Sequence, residues 1–151
     1  TIPELCTLEA DRRPIVVITS NRTRGLSDAL KRRCLYLHLD PPSFEKEYDI
    51  VRRKVPQLDA VVAAELCGVA QRLRDEPLLK QPGVSETLDW GRAVATLRSD
   101  DDPAELSIEE IENTLSCLLK EVEDIQHVDT ELLTELRDAA REARPAKSEA
   151  E

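Results

Sequence analysis

Thr19, Ser20 and Asn21 form a short polar tip directly after the apolar run Ile15-Val16-Val17-Ile18. Four β-branched residues without polar alternation read as a strand covered on both faces of a sheet. In open α/β sheets ligands bind beyond the carboxyl ends of the strands, so Asn21 stands where a site residue is expected. An Asn at a strand end also serves simply to tolerate a turn. Further on, Lys31, Arg32 and Arg33 close a short helical stretch, where cations gain a few tenths of a kcal/mol from the helix dipole. Other chemistries lack their groups. No G-x-x-x-x-G-K-[ST] occurs, so no backbone loop cradles a β-phosphate, and no apolar strand ends in the Asp-Glu that would hold Mg²⁺. Cys6, Cys34, Cys67 and Cys117 form no C-x-x-C pair, and with only His38 and His127 beside them they give no metal-ligand spacing.

The elements that must position these residues follow in order. Thr1 to Ala10 reads as a strand or hairpin arm, and Asp11 to Pro14 as the turn into the central strand. Ser27 caps a short helix, Asp28 to Arg33, and a second strand follows with Leu35, Leu37 and Leu39 on one face and Tyr36 and His38 on the other. Asp40-Pro-Pro-Ser stops this half and caps the next. Phe44, Tyr48, Val51 and Val55 then recur at helical spacing until Pro56. Leu58 to Leu73 carry a second helix ending near Arg74. Ser85 is placed to cap a third, with Trp90, Val94 and Leu97 on its apolar side. Ser107 and Glu110 form a capping box for a fourth helix, whose stripe runs Ile108, Ile111, Leu115, Leu118, Val122 and Ile125. Asp129 caps a last stretch through Leu132, Leu133, Leu136 and Ala140, and the tail PAKSEAE has too little apolar content to order.

The run PIVVITSNRTRGLSDALKRRCLYLHLDPPSF resembles the second half of the ATPase module of MoxR-type AAA+ proteins, particularly the branch linked to maturation of carbon monoxide dehydrogenase and similar metalloenzymes. The likeness continues through KQPGVSETLDW into TLSCLLKEVEDI. It implies the carboxyl-terminal part of an α/β P-loop NTPase core over residues 1–42, carrying sensor 1 and an arginine finger. A helical lid over 43–128, a terminal helix over 129–144 and a disordered tail over 145–151 would follow. It further implies Asn21 as the sensor 1 amide on the γ-phosphate and Arg33 as the finger reaching a neighbouring subunit's nucleotide. Thr19, Ser20, Arg32, Lys80 and Thr87 would lie near the nucleotide. Thr87 occupies the place where a sensor 2 arginine normally lies, with Lys80 and Arg92 as nearby substitutes. ATP and Mg would be the cofactors of the intact parent; this chain holds neither a Mg ligand nor the phosphate grip. The parent is expected to be a cytoplasmic, hexameric homo-oligomeric ring with chaperone activity that remodels a client protein.

Composition bounds these expectations. The 151 residues hold 40% hydrophobic residues and four aromatic ones, enough for one domain or two small ones with a core of Leu, Val, Ile and Ala. The formal net charge of −10 is uneven: residues 1–40 carry seven Lys/Arg against five Asp/Glu, and residues 100–151 carry five against seventeen. A broad basic surface for nucleic acid is absent. No apolar run approaches the ~18 residues of a membrane span. The chain has no Met, as expected of a fragment that begins inside a domain. Two other classes fit the same residues. One is a non-catalytic helical interaction protein; the other is a degenerate ring subunit that donates Arg33 while binding nothing itself.

Overall fold

A computed structural model of the chain describes residues 12–19, 27–99 and 105–144. The chain divides into two units, Thr1–Leu39 and Asp40–Glu151.

Among the described residues of the first unit the only regular element is α1, Asp28–Lys31. Ser27 caps it, its hydroxyl accepting from the Leu30 amide at 3.3 Å, and Arg32 is the C-cap. The two apolar runs on either side carry no regular secondary structure. Ile15 to Ile18 and Leu35, Tyr36, Leu37 and Leu39 are between 54% and 104% exposed. No strand occurs among the described residues, and the expected α/β core followed by a helical lid is corrected to a helical fold. The reason lies in what strand propensity measures. Val and Ile favour strands where a pleated neighbour buries them, and a run with no partner forms no ladder whatever its residues.

The second unit is built around α3, Ala60–Arg74. Every residue from Val62 to Ala70 is buried, so this helix has no solvent face along its middle and must run through the centre. Its first turn is opened by Asp59, whose carboxylate accepts from the Val61 amide at 2.7 Å. Around it pack α2, Phe44–Lys54, α4, Val84–Leu97, and α7, Thr130–Glu142. Small residues set how near the neighbours come. At Gly68 an added Cβ would lie 2.6 Å from the Ala143 Cβ and 2.7 Å from the Ala139 carbonyl oxygen, so α7 lies directly on the α3 backbone. The core is aliphatic apart from Trp90 and Cys67, with Leu66, Leu73, Ile111, Leu118, Leu119 and Leu136 fully buried.

The expected fourth helix divides. It starts as its capping box requires, the Ser107 hydroxyl accepting from the Glu110 amide at 3.1 Å and the Glu110 carboxylate from the Ser107 amide at 2.9 Å. The resulting α5, Ile108–Thr114, stops where Thr114 is engaged twice. Its hydroxyl accepts from the Trp90 indole at 2.6 Å and donates back to the Glu110 carbonyl. That back-bonding bends a helix, and a 3₁₀ turn, Leu115–Cys117, follows before α6, Val122–His127. Leu118 and Leu119 are then both buried, while Val122, read as part of the apolar stripe, is 63% exposed. The third helix also begins earlier than Ser85. Gly83 is its N-cap and receives the Glu86 carboxylate on its amide at 3.2 Å, while the Ser85 hydroxyl donates to that carboxylate at 2.9 Å.

Candidate functional site

Of the first-unit site residues inferred from sequence, the structure describes Thr19, Arg32 and Arg33. Thr19 is exposed, outside any regular element. Ser20 and Asn21 lie outside the described residues, as do Arg22 and Arg24. Arg32 caps α1, and Arg33 follows in a turn whose amide donates to the Leu30 carbonyl at 3.0 Å. Both side chains are exposed, and among the described residues the Arg33 guanidinium has no partner. Ser27 and the single helical turn therefore fix the backbone at Arg33 while leaving its side chain unengaged.

In the second unit the sequence pointed to Lys80 and Thr87, and the two differ in setting. Lys80 lies in the loop before α4. Asp124, itself buried on α6, accepts from the Leu79 amide at 2.7 Å and from the Lys80 amide at 3.0 Å. The half-exposed Lys80 ammonium pairs with Glu86 at 3.2 Å. Arg92 pairs with Asp89 at 2.8 Å on the surface. Thr87 is fully buried, and its hydroxyl donates to the Glu47 carboxylate at 2.9 Å.

Glu47 is the centre of a polar cluster that the sequence reading missed. It is wholly buried on α2 and faces Arg74 in a two-pronged contact, Nη1 to Oε2 at 2.6 Å and Nη2 to Oε1 at 2.7 Å. Gln71 donates to Oε2 at 2.8 Å. Arg74 spends its Nε on the Pro82 carbonyl at 2.7 Å. A charge removed from water is tolerable only when its lone pairs are filled in this way. A second buried carboxylate, Glu65 in the middle of α3, accepts from Arg144 Nε and from the Leu106 amide, both at 2.6 Å. The signals were present in the sequence: Glu47 falls in phase with Phe44 and Val51, and Glu65 interrupts the apolar run AVVAAELCGVA. A carboxylate on an apolar face needs donors, from a cation or from backbone amides, to fill its lone pairs.

Beside the Glu47 pair, burial pushes the Cys67 thiol up to about 12, the negative charge of Glu47 adding to the effect and Arg74 opposing it. No three His, Cys, Asp or Glu side chains group to hold a metal ion among the described residues. Likewise, no helix among them is long and apolar enough to cross a membrane.

Comparison with protein-family models, with curated proteins and with solved structures finds no match to this chain.

Proposed function

We propose that the chain is the carboxyl-terminal portion of a MoxR-type AAA+ ATPase, a cytoplasmic homo-oligomeric ring that couples ATP binding and hydrolysis to remodelling or maturation of a client metalloprotein. The observation that supports this reading is the state of Arg33. Arg74 and Arg144 are locked onto buried carboxylates, whereas Arg33 stands exposed with no partner among the described residues. A guanidinium that acts on another molecule's nucleotide must be uncommitted in its own chain. In this reading Arg33 neutralises charge developing on the γ-phosphoryl of a neighbouring subunit's ATP. The Asn21 amide orients the attacking water, and Thr19, Ser20 and Arg32 supply weaker contacts. The phosphate grip and the Mg²⁺ ligands come from outside this chain.

A finger supplied in trans is worth ~10³ to 10⁵ in rate in other phosphoryl-transfer systems. The test is steady-state Mg-ATP turnover by the ring that carries this segment together with a P-loop. Arg33→Ala should leave nucleotide affinity unchanged and lower turnover by at least about a hundredfold, a conservative share of that range. Mixing it with a P-loop-dead variant should restore part of the rate. The purified chain alone should show no turnover. An unchanged rate in Arg33→Ala, or robust hydrolysis by the chain alone, refutes the assignment.

A second reading, a non-catalytic helical interaction protein, is favoured by the exposed apolar runs at Ile15 to Ile18 and Leu35 to Leu39. Saturable ATP binding by the ring favours the ATPase. Assembly with a partner that is indifferent to nucleotide favours the interaction protein.

A further inference from the structure

We infer that Glu47 couples the backbone at Pro42, where the chain enters the helical unit, to the loop that bears Lys80, so that the two open and close together. The route is continuous. Gln71 Nε2 donates both to the Pro42 carbonyl at 3.2 Å and to Glu47 Oε2 at 2.8 Å. Glu47 holds Arg74 through both oxygens, and Arg74 Nε holds the Pro82 carbonyl at 2.7 Å. Gln81 returns to the Arg74 carbonyl at 2.7 Å, and Thr87, in the first turn of α4, closes onto Glu47. One buried carboxylate thus gathers the start of α2, the end of α3 and the start of α4. Neither Pro42 nor Pro82 has an amide hydrogen, so at each of these two residues the carbonyl is the only backbone group able to form a hydrogen bond.

The energetics make the coupling obligatory. Glu47 is fully buried and the Arg74 side chain only 7% exposed, so neither ion can trade its partner for water without the surrounding loops opening. Loss of the Gln71 bridge at one edge therefore loosens the carboxylate that the opposite edge depends on. The inference concerns the helical unit alone and stands whether or not a nucleotide is its ligand.

Amide hydrogen exchange in the intact chain tests this, since it reads local opening residue by residue. Gln71 makes no hydrogen bond to α4. In Gln71→Leu the amides of Gly83 and Thr87 should nevertheless exchange about five- to tenfold faster, the scale of one lost buried hydrogen bond. Lys46 and Glu47 in α2 should accelerate by a similar factor, with Leu136 in α7 unchanged. Ser43→Ala removes the α2 cap without touching the cluster, and it should accelerate Lys46 while leaving Thr87 as it was. Acceleration in Gln71→Leu confined to α2, equal acceleration at Leu136, or a response of Thr87 to Ser43→Ala as large as that of Lys46 would each overturn the coupling. Glu47→Gln, which keeps the side-chain shape, should raise exchange at both turns together.

Discussion

Burial divides the cysteines into different chemical behaviours. Cys67 lies within the central helix with no exposed surface, its thiol raised to about 12, so almost no thiolate exists at neutral pH. Cys34 is exposed directly after the basic end of α1. A native-state reaction with a thiol-specific chromogenic reagent should modify Cys34 within minutes and Cys67 only on unfolding. Rapid modification of Cys67 in folded protein would show that the interior around Glu47 opens far more readily than its hydrogen bonds imply. Arginines differ in the same way: Arg74 is consumed by a buried carboxylate within the helical unit, whereas Arg33 is exposed with no partner among the described residues.

At the scale of elements, glycine positions separate close approach from mere helix composition. Gly68→Ala drives a Cβ into Ala143 and the Ala139 carbonyl, and backbone cannot step aside as a flexible side chain would. It should cost about 1–3 kcal/mol, as overpacked cores do. Gly91 in α4 has its nearest neighbours at 3.6 to 3.7 Å, ordinary contact distance, so Gly91→Ala should gain about 0.5–1 kcal/mol of helix propensity. Denaturant unfolding of the two variants checks both signs. Much of this helical layer could be read from the sequence. The cap at Ser43, the capping box at Ser107 and Glu110, and the cap at Asp129 are local chemistry and occur as expected. The break after Thr114 was not legible, because it depends on an indole that arrives from another helix. The expected strands at Ile15 and Leu35 do not form, because a β-branched run or an alternating apolar one becomes a strand only where neighbouring backbone pairs with it. For the candidate site, Arg33 as an exposed cation and Lys80 in a loop were visible in the residue order. The burial of Thr87 was not, since its partner Glu47 lies forty positions away.

Over the whole molecule, long-range polar contacts tie helices that share little sequence proximity. Arg72 on α3 bridges Glu76 at 2.6 Å and Glu135 on α7, and His127 at the end of α6 lies 3.2 Å from Glu76. The hydrogen bond from Arg72, and then that from His127, hold the Glu76 carboxyl below its ordinary value of 4.5. A carboxyl depressed in the folded state contributes stability that is fully present above its unfolded value and disappears as pH falls through the folded one. Wild type should therefore exceed Glu76→Gln in stability at neutral pH, with the gap closing below about pH 4.5 as the carboxyl protonates. Chemical denaturation as a function of pH measures this, and a gap that widened on acidification would contradict the assigned direction.

Arg144 reaches back from just beyond α7 to a carboxylate at the middle of α3, and its second nitrogen holds Glu105 at 2.6 Å. The rim of the helical unit is thereby stitched to its axle. Trimming the sequence a few positions short of Arg144 would strip an ion from the very heart of the unit rather than merely shorten an edge.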